Sequence, residues 1–258
     1  MIGEDLKPVG LTHPDMDAII IFHHEWESLR IASLSFKQYY PEGKLLIARD
    51  TLPVEKRPFL DSLGAHYLRS YSTTQFFIDL NEAGRKLSSV TDEEFIGKIK
   101  QDIYRLAEAC SLSTSDYLIC MEADSLVIRR VEVNPRFHMD TLIANPYKRN
   151  FRRLVSRLSG EKFPVKGWGF VTGYVRRDAL LRSLDWAREN SDVLVQLFNE
   201  DQRFLYLDHF LPVLFHLSGE PIFNSGKVGE CLRDPNWESK DYALLHQYRK
   251  NYKLDSKV

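Results

Sequence analysis

Short apolar runs alternate with helical patterns along the first half of the chain. Three of these runs are continuously apolar and of strand length: Ala18–Phe22, Leu45–Ala48 and Tyr117–Met121. Continuous runs of this kind are typical of strands that are buried on both faces of a parallel sheet. Residues Ala65–Arg69 predict a weaker strand between the second and third runs.

Two helices are predicted between these strands. The first covers Glu25–Tyr39, and the second covers Asp92–Ser111, whose apolar positions recur at spacings of three and four. Thr91 and Glu94 have the spacing of a capping box at the start of the second helix. The alternation of strands and helices predicts an α/β domain whose ligands bind at the carboxyl ends of the strands.

The pattern becomes less regular after about residue 125. Thr141–Ala144 and Phe170–Val175 predict further strands, and helices are predicted at about 185–198 and 209–218. No linker, break in composition or internal repeat interrupts the chain. A single domain over residues 1–258 is therefore expected.

Composition and charge narrow the class of protein. The 258 residues are 43% hydrophobic and 28% charged, as in a folded globular protein. With 35 basic and 36 acidic side chains, the net charge of −1 lacks the basic excess of a nucleic-acid binder. The three cysteines have no metal-ligand spacing, which favours a reducing compartment. No apolar run has the length of a membrane span and no secretory signal pattern is present, so we expect a cytoplasmic protein.

Two carboxylates, Glu122 and Asp124, directly follow the strand Tyr117–Met121. Oxygen ligands at this position suit Mg²⁺ or Mn²⁺, which keeps several waters and bridges to substrate phosphates. An ion held by Asp124 could neutralise the charge on a departing diphosphate. The alternative interpretation is that the two acidic residues only begin a polar turn.

In this context the chain resembles the GT-A class of nucleotide-sugar glycosyltransferases. The family's DxD motif corresponds to Glu122-Ala123-Asp124, with Glu in place of the first Asp. The resemblance implies a Rossmann-like, mostly parallel central sheet flanked by helices. Residues of about 15–125 would bind the nucleotide-sugar, and a more irregular half of about 126–258 would bind the acceptor. It also implies that Asp124 binds the Mn²⁺ or Mg²⁺ cofactor, while Glu122 contacts the ribose or a metal-bound water.

The glycine-rich segment GWGFVTGYVRR, residues 167–177, resembles the strand that lies beneath the donor sugar in this family. A glycine at Gly173 permits close approach of backbone to a ligand, and Trp168 offers an apolar ring face to a sugar. A bulged strand with a core tryptophan explains the same pattern.

An acidic residue followed by an apolar helix, at Leu207–Gly219, resembles the segment that carries the catalytic base in inverting members of the family. The resemblance implies that Asp208 deprotonates the acceptor, and Asp201 is the alternative. A reference pKa of about 3.9 predicts that Asp208 is ionised at neutral pH. A role for Asp208 as the helix N-cap alone also accounts for the pattern.

The segment that begins at His246 resembles the carboxy-terminal histidine segment of many GT-A enzymes. By this resemblance His246 completes the metal shell, and Arg249 or Lys250 meets the diphosphate. The ends of the first two strands would contact the nucleoside through three further candidates: His23, Glu25 and Asp50.

A basic stretch, residues 148–157, holds five cations in ten positions. A solvated helix face is the simplest interpretation. An anionic acceptor, a diphosphate or a lipid headgroup is the alternative partner, which leaves a peripheral membrane contact open.

Together these features predict a metal-dependent, inverting glycosyltransferase that moves a sugar from a nucleoside diphosphate to a glycan or another hydroxyl acceptor. Two alternatives stay open: a non-catalytic relative that binds a sugar, a nucleotide or a partner, and a sugar-1-phosphate nucleotidyltransferase. The nucleotidyltransferase is less favoured because the first strand is followed by Phe22-His-His-Glu-Trp, which contains no glycine.

Overall fold

The computed structural model describes residues 11–21, 26–48, 52–69, 74–141, 145–165, 167–168, 172–223, 228–230 and 240–246. In chain order its strands are β1 Met16–Ile21, β2 Leu45–Ala48, β3 Ala65–Leu68, β4 Tyr117–Glu122, β5 Leu126–Val127, β6 Met139–Thr141, β7 Asn145–Pro146, β8 Gly167–Trp168, β9 Thr172–Arg176, β10 Ile222–Phe223, β11 Val228–Glu230 and β12 Leu244–His246. Its helices are α1 Trp26–Tyr39, α2 Arg57–Ser62, α3 Thr74–Glu82, α4 Asp92–Leu112, α5 Arg149–Ser159, α6 Arg177–Glu189, α7 Ser191–Glu200 and α8 Leu207–Leu217.

Seven strands form the central sheet, in the order β10-β6-β9-β4-β1-β2-β3. The strands β4, β1, β2 and β3 are mutually parallel, and β10 is parallel to β6. Strand β9 is antiparallel to both of its neighbours, β4 and β6. The predicted α/β class with a mostly parallel sheet is therefore confirmed.

The apolar runs form central strands because both faces of the sheet are covered by helices. Alternate side chains of a strand point to opposite faces. On one face, Leu118 and Cys120 of β4 pack in a cluster with residues of α4, α6 and α8. On the other face, Ile119 and Met121 pack in a second cluster with residues of α1.

A buried carboxylate, that of Asp17, aligns the amino ends of the central strands. Asp17 accepts hydrogen bonds from the backbone N–H of Lys44 (2.7 Å), which precedes β2, and from the hydroxyl of Ser113 (2.6 Å), which precedes β4. Burial raises the pKa of Asp17, but these hydrogen bonds and those from the Thr114 and Ser115 amides outweigh it and lower the pKa overall. Since these strands begin together, their carboxyl ends also lie along one edge of the sheet.

The helix predicted over Asp92–Ser111 is confirmed as α4, together with its capping box. The amide of Glu94 donates to Oγ1 of Thr91 at 3.2 Å, and the amide of Thr91 donates to Oε2 of Glu94 at 2.8 Å. The cap thus supplies hydrogen-bond partners to two backbone amides at the start of α4, those of Thr91 and Glu94.

The prediction of a single helix at about 185–198 was wrong. The structure has two helices there, α6 and α7, which meet at Asn190 with φ −122° and ψ 40°. The side-chain amide of Asn190 donates to the carbonyl oxygen of Trp186 at 2.7 Å, which satisfies an end group of α6. The hydrophobic pattern continues through this break, because both helices bury an apolar face in the same cluster.

In the parts of the chain that the structure describes, no helix is both long and apolar enough to cross a membrane.

Candidate functional site

The carboxyl ends of β1 and β4 lie side by side at one edge of the sheet, where Ile21 pairs with Glu122. Strand β2 ends nearby at Ala48. The predicted nucleoside contacts His23, Glu25 and Asp50 directly follow these strand ends in sequence, and they lie outside the described residues.

Glu122 is the last residue of β4, one residue further along the strand than the sequence predicts, and Asp124 lies in the tight turn that follows. The amide of Ala123 donates to the carbonyl of Ile21 at 2.9 Å, and the amide of Ser125 donates to the carbonyl of Glu122 at 3.0 Å. Asp124 is partly buried, and its Oδ1 atom is shielded from solvent. The turn thus holds Glu122 and Asp124 at the edge where ligands of such sheets bind.

Strand β12 brings the carboxy-terminal part of the chain to this turn. It pairs antiparallel with β5, with Leu245 opposite Leu126 and Leu244 opposite Val127. Continued by one residue, this register would bring the backbone of His246 opposite Ser125, the neighbour of Asp124 in sequence. The predicted convergence of Asp124 and His246 is therefore compatible with the strand pairing, although the side chain of His246 lies outside the described part.

The described side chains do not include that of His246. Among them, no three His, Cys, Asp or Glu residues are grouped as metal ligands would be. A site at this turn would therefore draw on one or two carboxylates, a number that is typical of Mg²⁺ sites completed by waters and substrate phosphates. Arg249 and Lys250 lie outside the described residues.

Asp208 lies in the first turn of α8 on the opposite face of the sheet from β12. Its predicted role as N-cap is wrong, because Tyr206 occupies the N-cap position and no side chain caps the helix. Asp208 is the second residue of α8, and its Oδ1 atom accepts a hydrogen bond from the backbone amide of His209 at 3.1 Å. The extended backbone of Tyr206 begins the helix two residues earlier than the sequence pattern indicates.

The pKa of Asp208 also differs from the sequence-based expectation. Burial and the nearby carboxylate of Glu122 raise the pKa of Asp208 to about 7. Asp208 is therefore close to half ionised at neutral pH, and not fully ionised as its reference pKa predicts. The influence of Glu122 also shows that Asp208 lies close to the turn after β4.

The sequence-based prediction missed three buried charged residues on α4, one of which, Lys98, interacts electrostatically with Asp208. The ammonium of Lys98 contacts the carboxylate of Asp102 and the carbonyl of Leu205, and Asp102 also pairs with Arg105. The charge of Lys98 partly offsets the rise in the pKa of Asp208. The available signal is the spacing: positions 98, 102 and 105 follow the three-and-four repeat beside the apolar stripe of α4.

Two tyrosines complete the surroundings of Asp208. Burial, and then the charge of Asp208, raise the pKa of both Tyr147 and Tyr206. The hydroxyl of Tyr147 donates to the carbonyl oxygen of His209 at 3.1 Å. Asp208 is thus enclosed by α4, α8 and the segment between β7 and α5.

Asp201, the alternative base, is buried in ion pairs. Its carboxylate accepts the guanidinium of Arg203 at 2.7 Å and lies 3.3 Å from the ammonium of Lys148. Burial raises the pKa of Asp201, but these cations outweigh it and lower the pKa overall. A carboxylate that is already neutralised by two cations is a weak proton acceptor, so the structure favours Asp208 over Asp201 for that role.

The two donor-sugar candidates of the glycine-rich segment lie in different sheets. Gly173 is buried in β9, where it pairs with Cys120 on one side and with Thr141 on the other. Trp168 belongs to β8 and pairs with Asn145 of β7, and its side chain lies outside the described part. Contact of Gly173 or Trp168 with a donor sugar stays a prediction.

Comparisons with known proteins bear on the fold. No protein-family model matches this chain, and no curated protein is significantly similar to it in sequence. The structure is similar to that of the galactosyltransferase LgtC in complex with donor and acceptor sugar analogs, with a TM-score of 0.50. The two sequences are 11% identical, and the match covers 90% of this chain and 87% of that chain. An active-site mutant of LgtC matches with a TM-score of 0.49 and 11% identity over 89% of this chain and 86% of that chain. The similarity to the LgtC complex confirms the GT-A fold and carries no assignment of a substrate.

Proposed function

We propose that this protein is a glycosyltransferase that moves a sugar from a nucleoside-diphosphate donor to a hydroxyl of a glycan or another acceptor. The observation that supports the proposal is made around the Glu122–Asp124 turn: β12 pairs with β5, which directly follows this turn, and the carboxylate of Glu122 raises the pKa of Asp208. The GT-A fold supports the same class of reaction.

Asp124 and His246 would hold the divalent ion, Mn²⁺ or Mg²⁺. The fit rests on the partly buried carboxylate of Asp124 and on the strand pairing that brings His246 to the turn. When bound, the ion supplies positive charge that stabilises the departing diphosphate. Arg249 and Lys250 would contact the same diphosphate, and the remaining donor contacts would come from Glu122, His23, Glu25, Asp50, Trp168 and Gly173.

Asp208 would act as the general base. Its carboxylate would accept the proton of the acceptor hydroxyl while the acceptor oxygen bonds to the anomeric carbon and the bond from that carbon to the diphosphate oxygen breaks. A displacement in line with the leaving group inverts the anomeric centre. A pKa of about 7 suits this role, because a base is most effective when its pKa lies near the working pH.

The first test is Mn²⁺-dependent hydrolysis of a panel of nucleotide-sugars by the wild-type protein and by two variants. Asp124→Ala is expected to abolish turnover and to weaken metal binding. Asp208→Asn is expected to bind the donor normally but to lose roughly 10²–10⁴-fold in transfer, the usual contribution of a general base. Asp185→Asn is the control, since it removes an exposed carboxylate that pairs only with Arg188 among the described contacts.

The outcomes separate the proposed function from its alternatives. Inversion is checked from the anomeric configuration of the product by NMR, and retention would contradict the role of Asp208. Binding of nucleotide-sugars without any turnover would favour a non-catalytic relative. Full activity of Asp124→Ala would show that the metal site is wrongly placed.

A further inference from the structure

Helix α5 presents a row of arginines to solvent on one face. Its opposite face is buried through Phe151 and Val155. The row consists of Arg149, Arg153 and Arg157, which are all exposed. At successive spacings of four residues and a rise of about 1.5 Å per residue, the three side chains lie along one side of the helix over roughly 12 Å.

These three arginines have no acidic partner among the described ion pairs, in contrast to nine other arginines of the described residues. Within the described ranges, no ion pair includes Arg149, Arg153 or Arg157. Nine other arginines each pair with a carboxylate: Arg30, Arg85, Arg105, Arg129, Arg130, Arg176, Arg182, Arg188 and Arg203. The net charge of −1 therefore conceals a local concentration of positive charge on α5.

The cations Lys148 and Arg149 at the start of α5 do not stabilise the helix, whereas Arg157 lies in the last turn, where a cation is favourable. The first turn of α5 contains no acidic residue, and Lys148 at the N-cap position makes no capping hydrogen bond. Cations at this end of a helix oppose the helix dipole and are unfavourable. Lys148 is compensated by its contact with Asp201, but Arg149 has no such ion pair among the described residues, which indicates a role outside the folding of the helix.

An open groove runs beside the row, between α5 and α7. Its volume is about 520 Å³, and Arg153 and Arg157 line it together with the side-chain amides of Asn150, Gln196 and Asn199. Glu200 contributes one carboxylate to the same groove. Guanidinium and amide donors in such numbers suit the oxygens of a phosphate group.

The buried face of α5, opposite the arginine row, packs near the candidate site. Tyr147, which is one of the residues around Asp208, stacks on Phe151 of α5 with ring centroids 5.5 Å apart. A surface that docks on α5 would therefore lie beside the part of the molecule to which we assign acceptor binding.

We propose that the Arg149–Arg153–Arg157 row docks this protein on an anionic membrane surface. A bilayer presents many phosphates in one plane, and basic residues near such a surface bind it electrostatically. A long single-stranded nucleic acid is the less favoured partner, because its bases need aromatic side chains to stack on. The large exposed hydrophobic side chains of the described ranges lie away from the row, at Leu11, Val54, Tyr104 and Leu181. If the proposed function holds, an acceptor held in the membrane would then lie close to the candidate site, and this consequence rests on the proposed function.

The test is sedimentation of the full chain with vesicles, without nucleotide or metal. The wild-type protein is expected to bind mixed phosphatidylcholine–phosphatidylglycerol vesicles, to ignore pure phosphatidylcholine vesicles and to dissociate as salt is raised. R149Q/R153Q/R157Q should bind roughly a hundredfold more weakly, since each basic residue near an anionic surface contributes about fivefold.

Two further variants make the result specific to the row. R30Q/R85Q/R188Q removes the same total charge from three exposed arginines that are paired elsewhere, and it should bind like the wild type. R149K/R153K/R157K keeps the charge and should also bind, which separates charge from a defect in folding. Hydrolysis of a soluble nucleotide-sugar should be unchanged in R149Q/R153Q/R157Q, so failure of the docking and failure of the proposed function are distinguishable.

The docking proposal is overturned if the wild-type protein binds neutral and anionic vesicles equally, or binds neither. It is also overturned if R149Q/R153Q/R157Q and R30Q/R85Q/R188Q lose the same affinity, which would assign the effect to total charge. Binding of free inorganic phosphate or of RNA through the row, without vesicle binding, would replace the membrane with that partner.

Discussion

Two aspartates of this protein have pKa values that shift in opposite directions. Asp17 is buried, but the hydroxyl and amide donors around it hold its pKa below the usual range. Asp208 is largely shielded from water and interacts with the carboxylate of Glu122, so its pKa rises to about 7. The surroundings, and not the residue type, decide that one carboxylate supports the sheet while the other is able to exchange a proton near neutral pH.

This difference has a consequence for stability. The pKa of Asp208 is about 7 in the folded protein and about 3.9 in the unfolded chain. Its contribution to the stability of the fold is therefore fully present when the pH is below about 3.9, and it is lost as the pH rises through about 7. Asp208→Asn removes the buried charge. At about pH 8 we expect it to raise the melting temperature by a few degrees, on the order of 1–2 kcal/mol, and at about pH 4 the gain should vanish.

Thermal unfolding followed by circular dichroism measures this effect. Asp185→Asn serves as the control, because an exposed ion pair contributes little to stability. If Asp208→Asn melts at a lower temperature than the wild type at about pH 8, the charge of Asp208 does not destabilise the folded protein as we expect.

At the scale of elements, α4 has a regular cap and apolar stripe but also buries charged side chains. Its cap and apolar stripe agree with local rules, yet it buries Lys98, Asp102 and Arg105 almost completely. Asp102 bridges the two cations, and the Nε and Nη1 atoms of Arg105 have no hydrogen-bond partner among the described residues. A helix that buries such a cluster depends on the carboxylate at its centre.

Replacement of that carboxylate is expected to be costly. Asp102→Leu leaves two cations buried without their partner and should lower the free energy of unfolding by about 3–5 kcal/mol. The triple variant K98M/D102L/R105M removes all three charges and should recover much of this loss. Urea denaturation measures both variants, and a loss below about 1 kcal/mol for Asp102→Leu would mean that the cations find other partners.

At the scale of the whole molecule, the candidate site joins segments from the middle and the end of the chain. The turn after β4 lies at the sheet edge, α8 covers one face there, and β12 reaches it from the other. Since a ligand bound at this junction holds several segments together only in the folded state, binding should stabilise the entire protein.

Mn²⁺ with the matching nucleoside diphosphate is therefore expected to raise the melting temperature. At a concentration of about 100 times the dissociation constant the gain is about 2.7 kcal/mol, or roughly 5–10 °C for a protein of this size. Asp124→Ala should lose most of the shift, whereas Asp185→Asn should keep it. If uridine, guanosine and thymidine diphosphates all fail to shift the wild-type protein, the donor class is wrong.

Features that depend on neighbours in sequence were predicted from the sequence. The strands β1, β2 and β4, the helix α4 with its cap, and the position of Glu122 and Asp124 past a buried strand follow from apolar runs, periodicity and capping residues. These patterns are local, because a strand or a helix end is decided within a few residues. The break at Asn190 was missed because the apolar pattern does not change there.

The tertiary structure alone decided which of these residues come together. Nothing near Asp208 in sequence indicates that Glu122 lies beside it, and nothing near His246 indicates that β12 pairs with β5. Burial and Coulomb interactions depend on distance in space, and the chain crosses the sheet several times between these residues. The sequence by itself therefore determined the elements and the chemistry they carry, while the packing of the sheet and its helices decided their protonation and their meeting at one edge.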